Sequence, residues 1–440
     1  MQLTSLLRSA AIMAVLSNVS LLLLQTAQAQ TETVLYNFCS VNSSAADCTD
    51  GENPVGPLAA DGYGNFYGVG SEGGGSSFGG VVFGLTPEPS GGCKGTNAGN
   101  GWCEFVLYNF CSVANCADGD EPLGSVSDLN GHFRTPGNLY GTTYLGGSHN
   151  VGVVFEISSR QPLNNCPAGS NTSGSWCETV LYNFCSIGDC ADGFNPFGNL
   201  VEDSTGNLYG TVVNGVFQLS PNQQGGWNSV LIHTDYYVQG GLAIDGADNL
   251  YGIDANYSTG VGNVFKISLS RAGYPQVNIH TFEAVSGGLP EGFPAGSIAV
   301  DNAGNVFGTT NSGGAKDLGT VWKLTPLTTG KKAGTYTKKI LHTFTAEKTG
   351  EYPLGGVLLD SSGNIYSTTT FGGSPDCQGC GTVFELVPNG NTYKYKLLWS
   401  FNGTDGASPA SAPSLNSSGS LYGVAGGGAN SEGTIYEVTP

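Results

Sequence analysis

Twelve cysteines are the first residues whose spacing points to chemistry, because they fall into six close pairs. Paired thiols form disulfides in oxidising compartments, and elsewhere they act as redox dithiols or metal ligands. The spacing in Cys377-Gln-Gly-Cys380 also fits a redox dithiol or half of a metal site, but this segment is glycine-rich and does not open a helix. We therefore predict six disulfides that close short loops, each contributing roughly 2 kcal/mol, between Cys39 and Cys48, Cys93 and Cys103, Cys111 and Cys116, Cys166 and Cys177, Cys185 and Cys190, and Cys377 and Cys380.

Three histidines, His233, His280 and His342, raise the question of a three-histidine metal site. They occupy equivalent positions in a repeat, where the first copy has Tyr36. The repeat places them on outer strands of separate sheets, and such strands lie roughly 15 Å from the innermost strand at about 4.8 Å per strand. We therefore predict packing roles for these histidines, no metal site and no cofactor.

Aspartates recur in a first motif, Asp-x-x-Gly-Asn, as in Asp203 to Asn207. Repeated Asp and Asn can indicate Ca²⁺, but the distant bidentate glutamate of an EF-hand loop is missing. Aspartate also accepts backbone hydrogen bonds in turns, where glycine supplies a positive φ. The motif therefore predicts tight turns.

A second motif, Asp-Gly-x-x-Pro, is the candidate for a binding surface. It predicts loops on one face of the molecule, and variable loops on a rigid scaffold often form binding sites. The alternative is that Gly and Pro only shape the connections. The four copies are Asp50–Pro54, Asp118–Pro122, Asp192–Pro196 and Asp405–Pro409.

The usual catalytic motifs are missing from the sequence. We find no glycine-rich phosphate loop between a strand and a helix, no Gly-x-Ser-x-Gly and no His-Glu-x-x-His. The sequence therefore predicts no catalytic residue, and it singles out no individual binding residue.

The elements that carry these residues belong to one module, written seven times. Each copy has a Leu-x-x-Asp strand, an Asn-Leu-Tyr-Gly-Thr strand, a Gly-Thr-Val-Phe strand and a Val-Leu-Tyr-Asn-Phe strand, which we call a, b, c and d. Four short strands per unit are typical of a propeller blade. Copies of strand d are found at 33–38, 105–110, 179–184, 231–234, 278–282, 340–344 and 397–401.

The order of these strands predicts how the ring closes. The chain starts its first copy with strand d at Thr33–Phe38 and ends its last copy after strand c at Gly433–Tyr436. The N-terminal strand 33–38 would therefore complete the last blade, 411–440, and remove its open edge. We predict an all-β fold, a single seven-bladed propeller with four-stranded blades over residues 30–440.

The repeat resembles the bacterial choice-of-anchor tandem-repeat family, also known as GloVer repeats. The resemblance rests on Leu139–Thr143, Gly381–Pro388, Leu181–Phe184 and Asp192–Pro196, and it covers essentially all of the chain after residue 29. It implies an exported envelope or extracellular protein, and it carries no enzymatic activity or catalytic residues.

The N-terminal segment and the charge bear on location and partners. Residues 1–29 run from Arg8 through an apolar stretch to Ala27-Gln-Ala29, which predicts a signal peptide cleaved after Ala29. We therefore expect a secreted or periplasmic monomer without a membrane span. A formal net charge of −19 argues against nucleic acid as a partner.

Two functions fit these observations. The first is a non-catalytic binding or scaffold module for a glycan, a peptide or an envelope protein. The alternative is a propeller enzyme of the lyase, glycosidase or lactonase type, with its site at the central channel. Carboxylates, histidines or tyrosines converging at one mouth would favour the enzyme, and a small, apolar lining would favour the scaffold. A repeat protein without any ligand is a third possibility.

Overall fold

Seven antiparallel sheets form the blades of one ring, as the sequence predicts. The computed structural model describes residues 30–41, 48–75, 78–89, 92–93, 95–127, 138–159, 166, 170–234, 238–256, 261–282, 292–329, 334–346, 349–374, 377 and 379–440. The predicted signal segment, 1–29, lies outside these residues. None of the described residues belongs to a helix long and apolar enough to cross a membrane.

The strands follow the chain as β1 to β29. β1 (Thr31–Asn37) comes first. Blades 1 and 2 contain β2 (Glu52–Ala60), β3 (Phe66–Glu72), β4 (Val81–Pro87), β5 (Thr96–Asn97), β6 (Trp102–Asn109), β7 (Leu139–Thr143), β8 (Val153–Ser159), β9 (Asn171–Ser173) and β10 (Trp176–Asn183). Blades 3 and 4 contain β11 (Pro196–Glu202), β12 (Leu208–Val212), β13 (Gly215–Pro221), β14 (Trp227–His233), β15 (Val238–Ile244), β16 (Asn249–Asn256), β17 (Val261–Ser268) and β18 (Gln276–Phe282).

Blades 5 to 7 complete the ring. They contain β19 (Pro294–Val300), β20 (Val306–Thr310), β21 (Thr320–Pro326), β22 (Tyr336–Thr343), β23 (Leu358–Leu359), β24 (Ile365–Thr369), β25 (Thr382–Asn389), β26 (Thr392–Ser400), β27 (Ser414–Leu415), β28 (Leu421–Ala425) and β29 (Thr434–Thr439). Two short 3₁₀ helices, Ala114–Cys116 and Gly188–Cys190, lie in loops that follow outer strands.

The N-terminal strand closes the ring. β1 pairs antiparallel with β29, from Thr31 opposite Thr439 to Asn37 opposite Thr434. The backbone N–H of Phe38 donates to the carbonyl of Gly433 at 3.0 Å, and Phe38 is fully buried. The predicted closure is therefore confirmed, and the outer edge of β29 is covered by β1.

Glycine on strand b makes room for the aromatic residue on strand c. Gly68 lies opposite Phe83, and a Cβ at Gly68 would come 2.5 Å from the Phe83 ring. Gly308 faces Trp322 in the same way. The Leu-Tyr-Gly-Thr motif thus exists because the pairing buries a large ring directly over the strand b backbone.

Every outer strand d has a β-bulge at the same place. In blade 7 the register with strand c shifts between Val34 and Tyr36, and in blade 6 it shifts between Leu397 and Trp399. A bulge redirects the side chains beside it. As a result Leu35 and Tyr36, which are consecutive, are both buried.

The inner strands meet at the axis through glycine. Added Cβ atoms at Gly56, Gly240 and Gly296 would come within about 3.1 Å of the backbone of the next blade's inner strand. Hydrogen bonds also cross between these strands, such as the Val357 N–H donating to the Ser297 carbonyl at 3.2 Å. We call the inner-strand glycines Gly56, Gly124, Gly198, Gly240, Gly296 and Gly355 the axial collar.

Prolines fasten six of the seven blade junctions, and at the junction of blades 3 and 4 Val238 occupies the proline position. The ring of Pro122 packs against Gly80, where strand c of blade 1 begins, and Pro196 packs against Gly152 in blade 2. Pro54 packs against Gly433 in the same way across the closure. The closing junction therefore has the same construction as the other proline junctions.

Blades 1 and 2 differ from the four-stranded prediction. Short strands β5 and β9 pair with the outer edges of β6 and β10, because the long loops between strands c and d of these two blades fold back along strand d. Among the described residues of blade 2, the inner strand is reduced to one bridge between Ser127 and Tyr140.

Deleting residues 31–37 tests the closure. We expect a lower melting temperature and self-association, because the deletion exposes the backbone of β29 as an open edge. Differential scanning calorimetry and light scattering measure both effects. An unchanged melting temperature in a monomeric variant would contradict the closure model.

Gly124→Ala tests the axial collar. The new methyl group would overlap the carbonyl oxygen of Gly198, while Gly124 itself has no positive φ. We expect the free energy of unfolding to fall by about 1–3 kcal/mol, a typical result of overpacking. The control is Gly246→Ala, where the added carbon meets no atom within 4 Å. Equal stability of the two variants in urea would show that the collar is not tightly packed.

Candidate functional site

A cavity of about 500 Å³ lies on the ring axis. It opens on the upper face, which carries the connections from strand d to the next strand a and from strand b to strand c. Each of the seven blades contributes to its wall. A cavity of this size falls in the range of roughly 300–1,000 Å³ that is usual for small-ligand sites.

The wall of this cavity is small, apolar and uncharged. Eight of its residues are glycines, and four serines and Asn199 add polar groups. Larger side chains are few: Leu123, Tyr144, Phe197 and Leu354. Within the described part of the chain, no carboxylate, imidazole or basic side chain lines it, so the wall itself offers no acid–base pair.

The rim is acidic on the side of blades 7, 1 and 2. Burial and the neighbouring carboxylates of Glu432 and Glu72 raise the pKa of Glu52. Burial and Asp120 likewise raise the pKa of Glu121. This part of the upper face therefore disfavours anionic ligands.

The lower end of the axis opens into a second recess. Ala60, Val126, Val201 and Ile244 line it, and Glu202 is its one charged group among the described residues. Among the described residues, neither mouth brings carboxylates or histidines together.

The four aspartates of the Asp-Gly-x-x-Pro motif are buried, and each connects an outer strand to the loop that follows it. We call them the aspartate struts. Asp118 is fully buried and accepts hydrogen bonds from the Tyr108 hydroxyl at 2.9 Å, the Ser112 N–H at 2.9 Å and the Ser112 hydroxyl at 2.8 Å. Asp405 accepts from Trp399 Nε1 at 3.1 Å in the same arrangement. These carboxylates fix each outer strand to the loop that follows it, and none of them lines the axial cavity.

The aspartates of the Asp-x-x-Gly-Asn motif organise turns on the opposite face. Asp203 accepts the backbone N–H of Thr205 and Asn207, and also the Tyr209 hydroxyl at 2.7 Å. Burial opposes ionisation, but the hydrogen bonds from Asn207 and Tyr209 outweigh it and hold the pKa of Asp203 at about 2. This is the turn chemistry that the sequence suggested.

The three histidines lie in three different outer strands, β14, β18 and β22. His233 lies 4.0 Å from Asp254 of the next blade, and both are buried. His342 stacks on Tyr395 at 4.5 Å, and burial lowers the pKa of His342 to about 4. Their surroundings are those of packed side chains.

All six cysteine pairs are bonded in the structure. They join Cys39 to Cys48, Cys93 to Cys103, Cys111 to Cys116, Cys166 to Cys177, Cys185 to Cys190 and Cys377 to Cys380. The sulfurs of Cys111 and Cys116 lie close to the Asp120 carboxylate, but the disulfide removes them as thiolate ligands.

Sequence reasoning chose the correct face for the cavity but missed the residues that line it. Phe197 and Leu123 stand beside collar glycines, and Tyr144 follows a strand b. Their types are ordinary for a β-protein. The x-Gly-x-Leu spacing of strand a was the feature of the sequence that could have identified them, because it marks the strand that faces the axis.

Comparison with known proteins supports the repeat and the fold. Residues 276–440 match the Gloeobacter/Verrucomicrobia repeat. No curated protein matches the chain. Virginiamycin B lyase from Staphylococcus aureus superposes with a TM-score of 0.51 at 11% identity, over 93% of this chain and 99% of that one.

Two further solved structures are similar. A catalytically inactive form of virginiamycin B lyase from Staphylococcus aureus, with quinupristin, gives a TM-score of 0.50 at 11% identity, over 93% of this chain and 99% of that one. A gluconolactonase from Xanthomonas campestris gives 0.37 at 10% identity, over 66% and 82%. At these identities the likeness to the lyase concerns the fold alone.

Asp118→Ala tests whether the motif aspartates are struts or ligands. We expect a loss of about 3 kcal/mol of unfolding free energy, because buried donors to a charged acceptor lose their partner. Urea unfolding measures it, with exposed Glu72→Ala as the control. Unchanged stability would contradict the strut interpretation.

Proposed function

We propose that this closed ring, whose residues 276–440 match the Gloeobacter/Verrucomicrobia repeat, is a non-catalytic binding module. Its ligand docks at the axial cavity on the upper face. A glycan, a peptide or an envelope protein segment is the class of partner we propose. The single observation that carries this proposal is the uncharged wall, to which all seven blades contribute.

The chemistry of the wall supports binding rather than turnover. General acid–base catalysis needs a titratable group within about 2.6–3.2 Å of the reacting atom. Among the described residues, the only titratable side chain in the wall is Tyr144. Apolar side chains with a few polar groups are, by contrast, the usual composition of a small-ligand site.

The charge distribution supports an uncharged ligand. The formal net charge is −19, and the rim carries Glu52, Glu121 and Glu432. An anionic polymer would meet this field without a cation in the wall to pair with. Neutral segments incur no such penalty.

We also propose that the protein is exported and acts as a monomer. Residues 1–29 have the pattern of a signal peptide. Six disulfides support an oxidising compartment, whether periplasmic or extracellular.

A binding screen of residues 30–440 against neutral and anionic glycans and envelope polymers tests the function. We expect at least one neutral polymer to bind, and anionic polymers to bind more weakly at low salt. Substrate depletion or product formation during the screen would instead indicate the enzyme of the alternative hypothesis. If no polymer or peptide bound, the remaining hypothesis would be a repeat protein without a ligand.

Ala410→Trp locates the binding site for whichever ligand the screen finds. Ala410 lines the cavity and is exposed, so the indole would fill the mouth without disturbing the core. We expect affinity to fall by about tenfold or more. Ala247→Trp, on an exposed turn of the opposite face, is the matched control. Equal affinity of the two variants would place the ligand elsewhere.

A further inference from the structure

One position on the outer strands faces the seam with the preceding blade. It lies four residues before the aromatic or histidine slot that follows the bulge. The residue type at this position differs between blades. Starting with blade 7 and continuing with blades 1 to 6, the residues are Glu32, Glu104, Glu178, Ser229, Gln276, Lys338 and Tyr395. We call it the seam position.

Each seam glutamate interacts electrostatically with the carboxyl group of an aspartate strut in the preceding blade. Glu104, in blade 1, interacts electrostatically with Asp50 and with the Tyr36 hydroxyl that bonds Asp50 at 2.6 Å. Glu178, in blade 2, interacts with Asp118 and Tyr108. Glu32, on the closing strand, interacts with Asp405 of blade 6.

The two carboxyl groups of a seam have unequal surroundings. Asp50 accepts hydrogen bonds from the Tyr36 hydroxyl, the Ser40 N–H and the Ser40 hydroxyl. Such donors stabilise the ionised form. Glu104 is 1% exposed and Glu178 is fully buried, and Oε1 of each has no hydrogen-bond partner. Oδ1 of Asp50 has none either, because all three donors bind Oδ2.

Two neighbouring carboxylates that are buried from water cannot both stay ionised unless a positive charge balances them. When environments differ this strongly, one carboxyl of the pair stays ionised and the other takes the proton. The aspartate accepts more hydrogen bonds than the glutamate, which has Tyr36 and Thr96 at Glu104 and Asn171 at Glu178, so the glutamate is the protonated member.

We propose that Glu104 and Glu178 are proton-binding sites, each holding a neutral carboxylic acid in the seam between two blades. The stability that these two groups contribute is then largest in acid and falls as the pH rises toward the value at which the folded protein loses their protons. Glu32 extends the same chemistry to the strand that closes the ring.

The direction of the pKa shifts agrees with this geometry. Burial, with Asp50 adding to it, raises the pKa of Glu104 to about 8. Burial raises the pKa of Glu178 to about 8, against an opposing hydrogen bond from Asn171. An unfolded glutamate ionises near pH 4.3. The free energy of folding that the protonated seam glutamates contribute is therefore fully present below that pH, and it is lost as the pH rises through about 8.

The groups facing each seam glutamate are few among the described residues. Glu104 faces Asp50, Tyr36 and Thr96, while Glu178 faces Asp118, Tyr108 and Asn171. The seam between blades 2 and 3 supplies an internal contrast. There Ser229 occupies the seam position beside Tyr182, whose hydroxyl bonds Asp192 at 2.7 Å. Among the residues that the structure describes, no second carboxyl accompanies Asp192 at the Tyr182 hydroxyl.

The test is a Glu104→Gln/Glu178→Gln double variant of residues 30–440, because glutamine imitates the neutral acid. Near pH 7, unfolding of the wild type should release about two more protons than unfolding of the variant. Calorimetry in buffers of different ionisation enthalpy counts them. Below about pH 4 the two melting temperatures should agree, and at about pH 9 the variant should melt higher.

A Glu88→Gln/Asp189→Asn variant of two exposed acids is the matched control and should follow the wild type. Equal proton release, or a double variant that melts lower at about pH 9, would overturn the proposal. Calcium ions that raise the wild-type melting temperature but not that of the double variant would also overturn it, because the seams would then hold a cation.

A second measurement does not depend on the variant's folding. The infrared spectrum of the wild type in heavy water near neutral pD should contain the carbonyl band of a protonated carboxylic acid. Its absence would also overturn the proposal.

Discussion

The crowding of seven strands around one axis is the constraint on which the structure depends. Where inner strands approach backbone to backbone, a Cβ has no space, so the collar positions are glycine. The same crowding sets the chemistry of the axial cavity, because glycine, serine and small apolar residues are what remains to line it. A wall of this kind can enclose an uncharged group but offers few titratable ones, and this links the packing of the ring to the proposed binding role.

The seams between blades are the second determinant, and they combine packing with charge. Prolines seat on glycines of the neighbouring blade, while buried aspartates fix outer strands to the loops that lead onward. These aspartates are satisfied by hydroxyl and backbone donors, which is how a strongly acidic chain tolerates carboxylates in its interior. The seam glutamates Glu104 and Glu178 have fewer such donors, so the same acidity that repels anionic ligands also gives the ring a protonation equilibrium.

Much of the fold follows from local patterns. Seven copies of four strand motifs predict seven blades, and the strand order predicts that Thr33–Phe38 completes the last blade, which the pairing of β1 with β29 confirms. The candidate site was less accessible to prediction. The Asp-Gly-x-x-Pro motif indicated the upper face, but Asp118 and its equivalents are occupied in struts, and Phe197, Tyr144 and Leu123 form the wall instead. The outward-folded strands β5 and β9 also had no signal in the repeat.

The sequence by itself determined the module, its number of copies and the cyclic order of its strands, because hydrophobic alternation and turn chemistry act over a few residues. Only the tertiary structure decided which side chains meet across seams and at the axis. The reason is that these contacts join residues of different blades, and the bulge in each strand d redirects its side chains in a way that spacing along the chain does not reveal. The pairing of Glu104 with Asp50 is such a contact, because Glu104 lies on strand d of blade 1 and Asp50 lies in the loop that follows the closing strand.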